Sequence, residues 1–369
     1  MTCLVFLTAP LDDADWCREV LGVERSLRAD VPGYGLEGAE KSLPGIWQSE
    51  RAMVSGCLVS VTPAMLERLT ALYATFGAFP AEIEVQATGG CMSATAFMNT
   101  STGSAQAAPD RDRAIILRRA SAEMLALAAT HGPDALRTRW PMALSHAASV
   151  ARAKAAANPA KLRAAWGRAD VKPQARKIPY AWFFGVVEEE LQFRRFDGAL
   201  SPAVKRAGFV MSDAVTVLPY DPERDCVLLI EQFRYAPWLR GAENCWSLEP
   251  IAGRVDPFER PEDCALREAR EEADLGLARD GLIAVGNVYP SPGAVTEFLY
   301  HYVALCALPE GTETVAGLES EAEDIRSHVI SFDELMSLIA SGEVQNGPLV
   351  LTAYWLAAHR EGLRSTARS

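Results

Sequence analysis

The chain has no uninterrupted apolar run of the ~18 residues that a membrane-spanning helix needs. Its opening stretch, MTCLVFLTAPLDDADW, lacks a basic segment and carries acids early, so it does not read as a secretory signal. The eight cysteines are scattered and none forms a C-x-x-C pair. Cys226, Cys245, Cys264 and Cys306 fall in predicted core elements, where a free thiol serves as a small hydrophobe. Reduced thiols fit a cytoplasmic protein. The five histidines show no metal-ligand spacing, which argues against zinc. A cationic surplus is also missing. A net charge of −12 argues against nucleic acid as a partner, and no membrane partner is expected. The basic stretch ARAKAAANPAKLRAAWGRADVKPQAR, Ala151 to Arg176, carries no known nucleic-acid reader motif. What remains, 49% hydrophobic and 23% charged, is an ordinary globular composition.

At 369 residues the chain exceeds one typical domain more than twofold. Three parts are expected: a small α+β domain over 1–105, an Ala-rich basic helical connector over 106–177, and an α/β domain over 178–369. Pro159 and Pro173 are expected to break the connector helix. In the last part, apolar runs flank Asp221-Pro222-Glu223-Arg224-Asp225, which predicts two strands joined by a turn. Phe332 to Ala340 has helical apolar spacing, and Pro348 opens a final helix.

The most informative stretch runs from Gly253 to Leu275: GRVDPFERPEDCALREAREEADL. Glu268, Glu271 and Glu272 stand at i, i+3 and i+4, so on a helix they share one face. Crowded carboxylates are tolerated on a solvated face, or are useful around a hard divalent cation such as Mg²⁺ or Mn²⁺. A charged surface helix is the plain reading of REAREEA alone. Gly253 and Glu259 upstream, at fixed distances from Arg267-Glu268 and Glu271-Glu272, favour the metal reading.

This spacing resembles the Nudix box, and the chain is similar to hydrolases of that family. The resemblance implies that Glu268, Glu271 and Glu272 hold the ions, together with the backbone carbonyl of Ala252. It implies that Arg267 orients the carboxylates, that Glu259 braces the network and that Gly253 lets the backbone approach. One position departs from the pattern: Asp274 stands where the family has glycine. Glycine there would be a left-handed helix stop, which Asp can occupy less well, and Gly276 is expected to take over that role.

The flanks resemble the ADP-ribose pyrophosphatase subfamily. Pro290 lies fifteen positions past Leu275, followed by Ser291-Pro292-Gly293 and Glu297. The resemblance implies that Glu297 is a general base or joins the metal site. In Glu231-Gln232-Phe233-Arg234 it implies that Arg234 contacts the substrate, a role suited to a planar guanidinium. Glu249 matches a position near the ribose and the metal. The segment IPYAWFFGVVEEELQFRRFDGALS resembles an arm that relatives exchange in dimers, with Trp182 and Phe184 as candidates to stack on adenine. The implied activity is Mg²⁺-dependent hydrolysis of ADP-ribose to AMP and ribose 5-phosphate by a homodimer. Another nucleoside diphosphate sugar or dinucleotide is an alternative substrate, and a non-catalytic ADP-ribose sensor is an alternative role.

The first part resembles, more loosely, the gamma-glutamyl cyclotransferase-like fold, a small β-barrel with flanking helices. Its substrate loop is replaced by Thr8-Ala9-Pro10-Leu11. Phe76 stands at the general acid/base position and cannot move a proton, so that reaction is expected to be absent. The joined pair of domains resembles bacterial proteins labelled for tellurite resistance. The expected fold is therefore a Nudix α/β/α sandwich with a mixed sheet, preceded by a small cyclotransferase-like barrel.

Overall fold

The structure is a computed structural model that describes residues 2–38, 41–99, 109–157, 159–317 and 323–367. Two compact units emerge, one of Met1–Gly167 with Tyr180–Gly185, the other of Arg168–Pro179 with Val186–Ser369.

The first unit contains β1 (Cys3–Thr8), α1 (Ala14–Leu21), β2 (Ser26–Glu37), β3 (Gly45–Val61), α2 (Pro63–Ala74), β4 (Phe79–Ala87), β5 (Gly90–Met98), α3 (Arg111–Leu127) and α4 (Pro133–Ala155). Its strands close into a barrel in the order β1-β3-β2-β4-β5. Along β4, Ile83 and Val85 point inward between Glu82 and Glu84, the period-2 alternation of a strand with one buried face. Phe6, Val31, Ile46 and Leu58 complete the barrel core. Helices start where the sequence offers caps: Asp13 accepts from Trp16 N, and Thr62 accepts from Met65 N with Pro63 at the first helical position. Phe76 packs edge-on against Trp140, with ring centroids 4.8 Å apart.

The expected connector differs from what is observed. α3 and α4 bury Leu117, Ala120, Met124, Leu136, Ala143 and Leu144, so they are core helices of this unit. Helix persists only to Ala155, short of Pro159, and from Val171 the chain is strand. Burial of one helical face, invisible in an alanine-rich composition, decides the first difference; strand pairing decides the second.

A three-stranded sheet follows: β6 (Val171–Ala181), β7 (Gly185–Phe193) and β8 (Val204–Val210). The rest of the second unit comprises β9 (Ala214–Asp221), β10 (Cys226–Phe233), α5 (Tyr235–Arg240), β11 (Trp246–Glu249), β12 (Ile251–Arg254), α6 (Pro261–Ala273), β13 (Leu282–Val288), β14 (Leu299–Leu305), β15 (Val315–Ala316), β16 (Ile325–Ser331), α7 (Phe332–Ser341) and α8 (Gly347–Ala367). Its sheet runs β13-β14-β9-β10-β16-β15, with β11 on β10 and β12 on β9. The β9–β14 pair is parallel and the other pairs are antiparallel, which makes the sheet mixed. Val215, Val217, Leu228, Ile230, Ile251 and Tyr302 pack with α6 on one face. Leu218, Tyr220, Val227, Leu229 and Val303 pack with α7 and α8 on the other. The α/β sandwich with a mixed sheet, preceded by a barrel, is therefore the observed fold. Cys226, Cys245 and Cys264 are buried as expected, and Cys306 only partly.

α6 sits close to the sheet because its inner stripe is small: Ala265, Ala269 and Ala273 are buried at four-residue spacing. Asp274 ends the helix in the left-handed conformation, φ 49°; its N–H donates to the Arg270 carbonyl at 3.1 Å and the next amide, Leu275, donates to the Ala269 carbonyl at 2.9 Å. Gly276 is not in that region, so the stop rests on Asp274 itself. Because αL backbone is strained for an L-residue and free for glycine, Asp274→Gly should stabilise the unit by about 0.5–1 kcal/mol. Denaturant unfolding would check this; an unchanged or lower midpoint would contradict it.

Candidate active site

β12 brings backbone to the face of α6. Gly253 pairs with Val215 and so points toward the helix. A Cβ at Gly253 would overlap the carboxylate of Glu268. Glu268 therefore occupies space that exists only because position 253 has no side chain. One turn on, Glu272 is buried, 3% exposed, and its Oε2 accepts from the amide of Ala252 at 2.9 Å. The two i, i+4 carboxylates thus point into the seam between α6 and β12.

Arg267 organises the outer rim. Its Nη1 donates to Glu268 Oε1 at 2.7 Å and to Glu271 Oε2 at 2.8 Å. Its Nε and Nη2 grip the two oxygens of Glu259 at 3.0 and 3.1 Å. Nη2 also donates to the carbonyl of Arg254 at 3.2 Å. Glu259 in turn accepts from the amide of Asp256 at 3.1 Å, closing the loop between β12 and α6. One guanidinium therefore links three box carboxylates and the loop backbone, a fork that lysine could not reproduce.

Burial makes this arrangement electrostatically costly. Glu272 is pushed up to about 8, chiefly by burial and also by the charge of Glu268, against the opposing hydrogen bond from Ala252. Glu268 is pushed up to about 7, again by burial first, with Arg267 opposing and Glu271 adding to the rise. Arg267 is half-buried, and ion pairing with Glu259 and Glu268 keeps it firmly cationic. Among the described residues, no three His, Cys, Asp or Glu side chains converge as a metal cage. Glu268 and Glu271 turn to Arg267 instead. In kind, however, the donors suit a hard divalent cation: all are oxygens, and one buried and one largely buried carboxylate carry charge that a dication would compensate.

A second pair borders Glu272. Arg234 follows β10, at the N-cap of α5, and grips Glu249, with Nε at 3.0 Å from Oε1 and Nη2 at 2.7 Å from Oε2. The strand register Ile230↔Glu249 brings them together, and both Arg234 and Glu272 feel each other's charge. Glu297, half-buried before β14, is raised by burial, while Arg254 and Arg234 oppose the shift and Asp213 adds to it. Glu249, Arg234, Glu297 and the box residues are thus brought into one electrostatic neighbourhood. Pro290 and Ser291 to Gly293 form an exposed turn leading to it.

Trp182 and Phe184 lie at the β6–β7 hairpin tip, which groups with the first unit, where the Trp182 carbonyl accepts from Arg139 at 3.3 Å. Three contributors carry no signal in the sequence. Asp213 is a buried carboxylate, 4% exposed, that precedes β9 without any spacing cue. Arg254 lies at an unconstrained position of the box. Cys264, expected as a core residue, also sits 3.3 Å from Arg267 Nη2.

The NUDIX domain family matches residues 211–351. The chain is 34% identical over 207 residues to the ADP-ribose pyrophosphatase of Escherichia coli strain K12, covering 56% of this chain and 97% of that protein. It is 32% identical over 152 residues to the GDP-mannose pyrophosphatase of Enterobacter sp. strain 638, covering 41% of this chain and 77% of that protein. A solved structure described as an ADP compounds hydrolase aligns with 21% identity and a TM-score of 0.39, over 51% of this chain and 96% of that chain. The chain belongs to the Nudix family and is a Nudix hydrolase. Within that family its second half is homologous to pyrophosphatases of nucleoside diphosphate sugars. No helix among the described residues is long and apolar enough to cross a membrane.

The raised carboxylates dictate a pH signature. Between the unfolded value near 4.5 and the folded values of about 7 and 8, the folded state holds protons that the unfolded chain has released. Stability from these groups is fully present below about pH 4.5 and is lost as pH rises through about 7 to 8. Without divalent cations, thermal midpoints should fall from pH 5 to 8.5, less steeply in Glu272→Gln. Added Mg²⁺ should restore the wild-type midpoint at pH 8.5 and do little for the variant. Parallel curves for the two proteins would contradict this.

Proposed function

We propose that the chain hydrolyses the diphosphate of ADP-ribose to AMP and ribose 5-phosphate, using Mg²⁺ or Mn²⁺. The observation that carries this reading is the Arg267-centred network, with Glu268 in the space at Gly253 and Glu272 on the Ala252 amide. Homology to an ADP-ribose pyrophosphatase, along nearly its whole length, supports the substrate. Glu268, Glu271 and Glu272, with the carbonyl of Ala252, would hold the cation. When bound, it supplies neutralisation of the diphosphate charge and acidity to the attacking water.

The residues of this chain then divide the work. Glu297 takes a proton from the water as its oxygen attacks one phosphorus. The bridging P–O bond breaks, and the departing phosphate carries the electron pair. Arg234, held by Glu249, offers its guanidinium to the charge that grows on the phosphate oxygens. Arg267 keeps the box carboxylates aligned, with Glu259 as its anchor and Gly253 as the space they need. The turn from Pro290 shapes the approach to Glu297. Trp182 and Phe184 are proposed to stack on adenine, and a homodimer with exchanged arms is proposed as the assembly.

The first unit is proposed to be a cyclotransferase-like domain without that activity, because Phe76 stands in place of the acid/base. A cytoplasmic location and a link to tellurite resistance belong to the same proposal. A second substrate reading, another nucleoside diphosphate sugar, is favoured by the homology to GDP-mannose pyrophosphatases.

The test is formation of the phosphomonoester products (AMP and ribose 5-phosphate from ADP-ribose), separated by chromatography, from a panel of ADP-ribose, GDP-mannose, ADP-glucose, NADH and diadenosine polyphosphates, with Mg²⁺ and with chelator. ADP-ribose should lead by about tenfold and fall silent with chelator, and Glu272→Gln should lose at least about 10²-fold in kcat. Preference for GDP-mannose would support the second reading. Binding of ADP-ribose with no turnover of any member would overturn both in favour of a sensor.

A further inference from the structure

Glu297 lies on a loop, yet the segment around it is laced to the chain that enters β9. The amide of Phe209 donates to the Ala294 carbonyl at 2.7 Å, and the amide of Thr296 returns to the Phe209 carbonyl at 2.9 Å. This is a parallel bridge, Phe209 to Val295. Beyond Glu297, the amide of Ala214 donates to the Phe298 carbonyl at 3.1 Å, and the regular β9–β14 ladder begins at Leu299↔Ala214. Glu297 falls between these two ladders.

The gap is spanned by one side chain. Thr296 Oγ1 accepts from the amide of Met211 at 2.8 Å and donates to the carbonyl of the same residue at 2.9 Å. A hydroxyl can do both at once, because it carries one donor and two acceptor sites. The segment it grips is itself fixed, with Ser212 1% and Asp213 4% exposed. That same segment holds the box loop: the amide of Val255 donates to the Asp213 carbonyl at 3.0 Å, and Arg254 pairs with Ala214. The chain from Phe209 to Ala214 is therefore a common rail for the box loop and for the loop bearing Glu297.

We propose that Thr296 is a positioning residue whose hydroxyl, clamped on Met211, sets the place of Glu297 relative to the Gly253 seam. The inference rests on the reading of Glu297 as the base. Thr296→Val keeps the shape and removes both hydrogen bonds, freeing the residue next to the carboxylate. A displacement of order 1 Å at a reacting group costs up to about 10²-fold in rate.

The experiment measures ADP-ribose hydrolysis with Mg²⁺ by the full chain and by Thr296→Val, Thr296→Ser, Glu297→Gln and the Thr296→Val/Glu297→Gln double variant. Thermal midpoints confirm folding, and Thr296→Ala replaces the valine variant should that one unfold. Thr296→Val should lose at least about tenfold in kcat with KM within about twofold, and Thr296→Ser should recover at least about a third of the wild-type kcat. In the Glu297→Gln background the valine substitution should add little, because both act through one carboxylate. Full additivity, or a rise in KM alone, would overturn the inference. If Glu297→Gln is crippled while Thr296→Val turns over like wild type, the positioning inference fails and the reading of Glu297 stands. If Glu297→Gln itself turns over normally, the reading of Glu297 fails and the inference falls with it.

Discussion

Everything in the site depends on the close approach of α6 to β12 at Gly253. A helix of small inner residues, Ala265, Ala269 and Ala273, lies low on the sheet, and the missing side chain at Gly253 leaves room for one carboxylate. Glu268 fills that room, and Glu272 reaches the neighbouring amide. Two carboxylates four residues apart are thereby withdrawn from water, Glu272 fully and Glu268 largely. Such groups are retained against their own desolvation only when something compensates them. Arg267 compensates from the outside. From the inside, among the described residues, Glu272 is favoured in its ionised form by a backbone N–H and the more distant charge of Arg234.

That imbalance is the link between fold and chemistry. Packing holds carboxylates where they repel, and a dication with an anionic diphosphate can turn that repulsion into affinity. Arg267 serves both conditions, since its fork bridges Glu259, Glu268 and Glu271 while also holding the Arg254 carbonyl. The Arg234–Glu249 pair repeats the logic on the neighbouring strands, where a nearly buried glutamate aims a cation.

Much of this is legible in the sequence, for a local reason. The box is a contiguous stretch, and helix periodicity alone puts Glu268 and Glu272 on one face and Arg267 and Glu271 on the next. Asp274 can likewise be read as a left-handed stop, because cap geometry is local, and no help from Gly276 is needed. The Arg234–Glu249 contact is harder to foresee. It needs the register Ile230↔Glu249, which spans a helix and a loop and carries no spacing signature. Asp213 and Thr296 are out of reach, since their roles arise from the parallel meeting of β9 and β14. The alanine-rich stretch before Pro159 misleads for the opposite reason: its composition suits a solvated connector, and only packing reveals that Ala143, Leu144 and Ala147 are buried.

The central claim is that the space at Gly253 lets Glu268 and Glu272 form a cation-dependent centre. Calorimetric titration of Mn²⁺ into the wild type and into Gly253→Ala, with thermal midpoints confirming that both are folded, tests it most directly. The account predicts saturable binding to the wild type and at least about tenfold weaker binding to the variant, about 1.4 kcal/mol. Equal affinity in the two proteins would contradict it.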